Sequence, residues 1–143
     1  MTKIQKIFAL IVCSCCFVTC GDEMEPQLPY ISIDTTFVLY SYPELSLFPS
    51  AAKKAGYGYN RNGLILVRKT QTEFHCYDAT CTRDINNHAT AIVLEAGGFF
   101  ATCPKCNTKY HLQSSAYSED GKCRLQEYRA TYNSSTNIVR ITN

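Results

Sequence analysis

No apolar run beyond Cys20 keeps a helical period for more than a turn or two, and this limits the fold more than any other feature of the sequence. Eight short segments read instead as strands: Thr35–Tyr40, Leu64–Lys69, Glu73–Asp78, Ala91–Glu95, Phe99–Thr102, Lys109–Leu112, Leu125–Tyr132 and Thr136–Ile141. Leu64–Lys69 is continuously apolar, which suits a buried strand, and the alternating Glu73–Asp78 suits its hairpin partner. Ala96-Gly97-Gly98 and Asn133-Ser134-Ser135 mark two further hairpins. Ser41–Ala55 is expected to be irregular, broken by Pro43 and Pro49, with Leu45, Leu47 and Phe48 plugging the core from a loop that has room for one helical turn. Residues 56–63 are turn-rich. Short strands at this spacing predict an all-β fold, a small antiparallel sandwich or barrel spanning 31–143. With 143 residues the chain has room for one such domain.

The beginning of the chain is of another kind. Lys3 and Lys6 precede an apolar run, Ile7 to Thr19, too short to cross a bilayer as a stable helix. Cys20-Gly21-Asp22-Glu23 follows, and polarity changes abruptly there. This arrangement resembles a bacterial lipoprotein signal, in which the cysteine thiol is acylated and becomes the new N-terminus. Phe17, Val18 and Thr19 replace the aliphatic and small residues usual at those positions. Cys13, Cys15 and Cys16 are competing acceptors, and Val12-Cys13-Ser14-Cys15 is the best of these alternatives. The resemblance implies a signal peptide over 1–19 and acylation of Cys20, palmitate being one such chain. It also implies a flexible acidic tether over 20–30 and a lipid-anchored place in the bacterial envelope, on the periplasmic or surface face of the outer membrane. Each buried CH₂ of such an anchor contributes about 0.8 kcal/mol. An ordinary secretory signal with incidental cysteines is the alternative. Apart from Lys3 and Lys6 the chain carries 12 basic and 12 acidic residues, so nothing draws it electrostatically to nucleic acid.

Export exposes the five remaining cysteines, Cys76, Cys81, Cys103, Cys106 and Cys123, to an oxidising compartment, where thiols tend to pair. An odd count leaves one over or gives it to a metal site. Cys76 and Cys81 form a C-x4-C pair; after 21 intervening residues comes Cys103-Pro104-Lys105-Cys106. Proline fixes φ, and the following residues fold the backbone so that both sulfurs converge. Asn107 then stands where many such knuckles carry glycine, and Asn tolerates the left-handed conformation. Two such pairs suit tetrahedral zinc at roughly 2.3 Å per sulfur. They suit an iron–sulfur centre too, and equally disulfides such as Cys103–Cys106, worth roughly 2–4 kcal/mol each.

From Ile31 to Ile141 the chain resembles a Rieske-type [2Fe–2S] domain, particularly the small Rieske-like lipoproteins of bacterial envelopes. The likeness rests on strand Leu64–Lys69, the Phe74…Tyr77-Asp78…Cys81 segment and the turn at Gly97-Gly98. It rests also on Cys103-Pro104-Lys105-Cys106-Asn107-Thr108-Lys109-Tyr110-His111-Leu112 and the closing hairpin with Tyr128 and Val139. The family's cluster motif pairs Cys-x-His with Cys-x-x-His. Here the first cysteine falls on Cys81 and the first histidine on Arg83, whose guanidinium has no free lone pair. The second cysteine falls on Cys103 and the second histidine on Cys106. The resemblance therefore implies the fold, with a metal held by Cys81, Cys103, Cys106 and a fourth group. Cys76 is the expected fourth ligand. His88 is near enough in sequence to reach, but His75, His88 and His111 are all expected as solvated imidazoles, with Tyr110 turned inward.

Three functions remain open. The chain is an iron–sulfur electron carrier of low potential serving a redox protein partner, or a cluster-free relative that binds zinc or forms disulfides and acts as a structural or binding module. The third is a thiol–disulfide oxidoreductase, which needs an electropositive, exposed setting, often a helix N-terminus, and the sequence after Cys106 reads as strand. No phosphate-binding glycine loop and no metalloprotease helix is visible, so no catalytic residue is assigned and the chain is not expected to be an enzyme.

Overall fold

The computed structural model describes residues 28–83 and 85–143. The export segment 1–19, the acylation site Cys20, the tether as far as residue 27, and Asp84 lie outside the described residues. Ten strands follow in chain order: β1 (Asp34–Val38), β2 (Ser50–Lys54), β3 (Leu64–Arg68), β4 (Phe74–Asp78), β5 (Val93–Leu94), β6 (Phe100–Thr102), β7 (Lys109–His111), β8 (Tyr117–Ser118), β9 (Glu127–Asn133) and β10 (Ile138–Thr142). Among the described residues, helical geometry is confined to single 3₁₀ turns at Leu39–Ser41, Pro43–Ser46 and Tyr59–Arg61. No helix among the described residues is long and apolar enough to cross a membrane. All strand pairs are antiparallel, in a six-stranded sheet ordered β1-β10-β9-β4-β3-β2 and a four-stranded sheet ordered β5-β6-β7-β8. The all-β class read from the sequence is the class observed.

β3 explains why its sequence does not alternate. Leu64, Ile65, Leu66 and Val67 are all fully buried, because both faces of this strand are covered. Leu64 and Leu66 join Phe37, Ala52, Cys76, Tyr128, Val139 and Ile141 in one apolar cluster. These residues all come from the larger sheet, so that sheet curls around them. Lys54 joins its two outer strands, donating from Nζ to Thr35 Oγ1 (3.0 Å) and to the Thr36 carbonyl (2.6 Å). Ile65, Val67 and Tyr77 face the opposite way and pack with Ala101, Tyr110 and Leu112 of the smaller sheet. Each such side chain, fully buried, contributes about 1.5–3 kcal/mol.

The segment expected to be irregular contains a strand. Ser50-Ala51-Ala52-Lys53-Lys54 has few strand-favouring residues, yet it pairs residue for residue with β3. Its small side chains answer a close approach: a Cβ on Gly98 would lie 2.5 Å from the Ala51 nitrogen. In the loop before it Leu45 is buried (1 % exposed), whereas Leu47 (78 %) and Phe48 (51 %) are open to solvent and do not plug the core. The Phe48 ring lies instead beside the Arg68 guanidinium.

Candidate metal centre

Two turns bring the site together. Beyond β4 the chain stays extended and pairs with the segment entering β5. Ile92 N–H donates to the Ala79 carbonyl and Cys81 N–H to the Thr90 carbonyl, each at 2.9 Å, with Thr80 opposite Ala91 between them. Cys81 thus stands on the last rung before the 82–90 loop, which carries His88. The second turn joins β6 to β7. Cys103 N–H donates to Thr108 O and Asn107 N–H to Cys103 O, both at 2.9 Å. Asn107 adopts the left-handed conformation, φ 57°, as its place in the knuckle predicts.

Cys81, Cys103, Cys106 and His88 each offer a ligand atom, and all four atoms lie within 4.8 Å of one another. The Cys81 and Cys106 sulfurs are 3.6 Å apart, close to the edge of about 3.8 Å for a tetrahedron with roughly 2.3 Å bonds. All five described cysteines are free thiols. His88 Nδ1 is buried and has no hydrogen-bond partner among the described residues, leaving its lone pair available. The backbone N–H two residues past each outer cysteine points at its sulfur, Arg83 at Cys81 and Thr108 at Cys106. The Thr108 hydroxyl adds a contact of 3.1 Å to Cys106 Sγ. Behind Cys81, the Tyr110 hydroxyl is 3.4 Å from its sulfur and accepts from Thr82 N–H at 3.1 Å.

Burial pushes the Cys81 thiol well up. Cys106 lies nearer the surface. Burial would raise it too, but the Thr108 donors and the neighbouring thiols Cys103 and Cys81 outweigh that and hold it below its ordinary value. Sulfurs this close cannot all ionise unless a cation shares the space. The donor set, three thiols and an imidazole around one point, fits a single tetrahedral ion. An iron–sulfur centre held by thiolates draws on the same donor types. The site departs from the two-cysteine, two-histidine pattern, because Arg83 stands at the first histidine position and pairs with Asp120 at the surface.

Cys76 is not among the four. It sits mid-β4 opposite Tyr128, on the face turned to the curled sheet's own cluster, while Tyr77 faces the site's side. Strand alternation, which Cys76 obeys, carries it away. The expectation of a solvated His88 is also corrected, since the 82–90 loop folds back on the Cys81 rung. Only proximity in sequence hinted at this. The remaining histidines lie outside the four-ligand group. His75 lies 2.7 Å from Glu127 and 3.0 Å from Glu73, and His111 packs edge-on against Phe100. Tyr110 is fully buried, as expected. Cys123 is buried behind Tyr110, 3.7 Å from its hydroxyl. Cys106 opens onto a cleft of about 270 Å³ lined by Arg83, Lys109, Glu119 and Asp120. Cys106 is followed by the Asn107 turn and β7, not by a helix N-terminus.

No family model matches the chain, and no curated protein does. Among solved structures it is similar to a chain described as the small subunit of an NADH-dependent nitrite reductase from Mycobacterium tuberculosis, at 12% identity and a TM-score of 0.45, covering 80% of this chain and 97% of that one.

Proposed function

We propose that this chain is a Rieske-like module of the bacterial envelope whose cysteines hold one zinc ion, through Cys81, Cys103, Cys106 and His88, as a structural clamp. The observation that carries this reading is the crowding of four ligand atoms within 4.8 Å, one of them on a histidine with an unpartnered Nδ1. Four protein ligands leave no open position, the mark of a structural rather than a catalytic zinc site. Zinc neutralises thiolates that burial would otherwise keep protonated. Cys81 comes from the end of the larger sheet and Cys103 and Cys106 from a hairpin of the smaller one, so the ion fastens sheet to sheet. Arg83 in place of a ligand speaks against a cluster with two imidazole ligands. Anchoring through acylated Cys20 belongs to the same proposal, and Cys20→Ser should then move the protein from the membrane to the soluble fraction.

Elemental analysis and an absorption spectrum of the anaerobically purified mature protein test the metal reading. One zinc per chain and no colour are expected, with cobalt substitution giving strong thiolate-to-metal absorption. A brown protein with two irons and two labile sulfides per chain would overturn it in favour of an electron carrier. A colourless protein without metal and with paired cysteines would leave only the disulfide module.

A further inference from the structure

His88 alone among the four ligands sits inside a loop, where no knuckle fixes it, and something else must set its place. The connection from β2 to β3 supplies that support. Its backbone is forced: Asn60 (φ 50°) and Arg61 (φ 58°) are consecutive left-handed residues, between Gly58 (φ 77°) and Gly63 (φ 113°). Non-glycine residues persist in that region only where their surroundings over-determine them. Here Tyr59 N–H donates to Asp78 Oδ2 at 2.7 Å, and Ala79 N–H to the Gly63 carbonyl at 2.9 Å.

The tight turn presents Asn62. Its Nδ2 donates to Thr80 Oγ1 and to the Ala89 carbonyl, both at 2.9 Å. Thr80 is fully buried, and its hydroxyl donates in turn to the Tyr59 carbonyl at 3.2 Å. Thr80 directly precedes Cys81, and Ala89 directly follows His88. One amide group therefore spans the strand that presents the first thiol and the loop that presents the imidazole. We propose that Asn62 is a positioning residue of the metal site, holding the His88 loop against the Cys81 strand and so setting the affinity for the ion. This rests on the reading of Cys81, Cys103, Cys106 and His88 as one metal site.

Cobalt and zinc affinities, measured on the mature protein by chelator competition, test it. The comparison covers wild type, Asn62→Ala, His88→Ala and the double variant. Asn62→Ala should weaken binding about 10–100-fold, the usual effect of losing an outer support of a ligand. Its cobalt spectrum should shift toward that of His88→Ala, in which water replaces the imidazole. In the His88→Ala background, adding Asn62→Ala should change affinity by less than about twofold, because the two act through one contact. Asn62→Asp keeps the side chain's size but donates nothing to Ala89, and should behave like Asn62→Ala. It carries the test if the alanine variant does not fold. Unchanged affinity in both Asn62 variants, or an equal loss with and without His88, would overturn the proposal while leaving the metal site standing. A wild type that takes up no cobalt would instead remove the site itself, and the role of Asn62 with it.

Discussion

Asp78 closes β4 with a carboxylate that is fully buried, and this one residue links the pH dependence of the fold to the loop behind the site. Its Oδ2 accepts from Tyr59 N–H at 2.7 Å and from the Tyr128 hydroxyl at 2.9 Å. Burial raises its pKa, only partly opposed by those donors. The folded chain thus keeps a proton at pH values where the unfolded chain has lost it. The group's contribution to stability is complete below the ordinary carboxylate value near about 4 and is lost as pH rises through the elevated folded value. Asp78→Asn keeps an acceptor oxygen and cannot ionise. Relative to wild type, its melting temperature should therefore rise as thermal melts move up from pH 4 until pH passes the elevated folded value, and a gap independent of pH would refute this account. Asp78→Ala strands both donors and should cost about 1–3 kcal/mol for each. At this scale the sequence was partly legible. Cys103-Pro104-Lys105-Cys106 declares its geometry because proline and a tight turn leave few alternatives. His88 and Asn62 do not, because their partners are distant in the chain and neither lies on a periodic element.

At the hairpin from β5 to β6 the smaller sheet also meets β2 of the larger one, and Gly98 lies against Ala51 there. It has φ +71°, and a side chain there would run into the Ala51 backbone. Gly97, next to it at φ +88°, would meet only the Phe99 ring at 3.5 Å. Gly97→Ala should therefore cost about 1 kcal/mol for the backbone conformation alone. Gly98→Ala should cost more, about 2–4 kcal/mol, because strain and overpacking add. Denaturant midpoints of the two variants check the order, and equal losses would mean the sheets can slide apart to make room. The hairpins β3–β4 and β9–β10 could be read in advance because apolar patterning and turn residues agreed. β2 could not, since an outer strand that must stay thin beside Gly98 is built of serine and alanine, and its lysines are held by distant partners, Lys53 by the Ile92 carbonyl and Lys54 by β1. β8, two residues long, is too short to show any period.

Considered whole, the described residues form two sheets, with Cys81, Cys103, Cys106 and His88 gathered where they meet at one end. On the proposed zinc reading, removing the ion should loosen the smaller sheet first. Chelation should lower the melting temperature, and free zinc at 1,000 times its dissociation constant should restore about 4 kcal/mol. Hydrogen exchange should quicken in β6 and β7 while β3 and β4 stay protected. Uniform quickening would instead mean that both sheets open as one unit. Metal uptake should also release protons, so affinity falls as pH drops. β3 divides the interior like a party wall: Ile65 belongs to the room that contains Cys81, Cys103 and Cys106, and Leu66, the next residue, to the room whose one thiol is Cys76. Ile65→Ala and Leu66→Ala should each cost about 2–5 kcal/mol of stability, but only the first should also weaken zinc binding. Neighbours along the chain are then strangers in space, and an injury to the closed side of the house can go unnoticed at the metal.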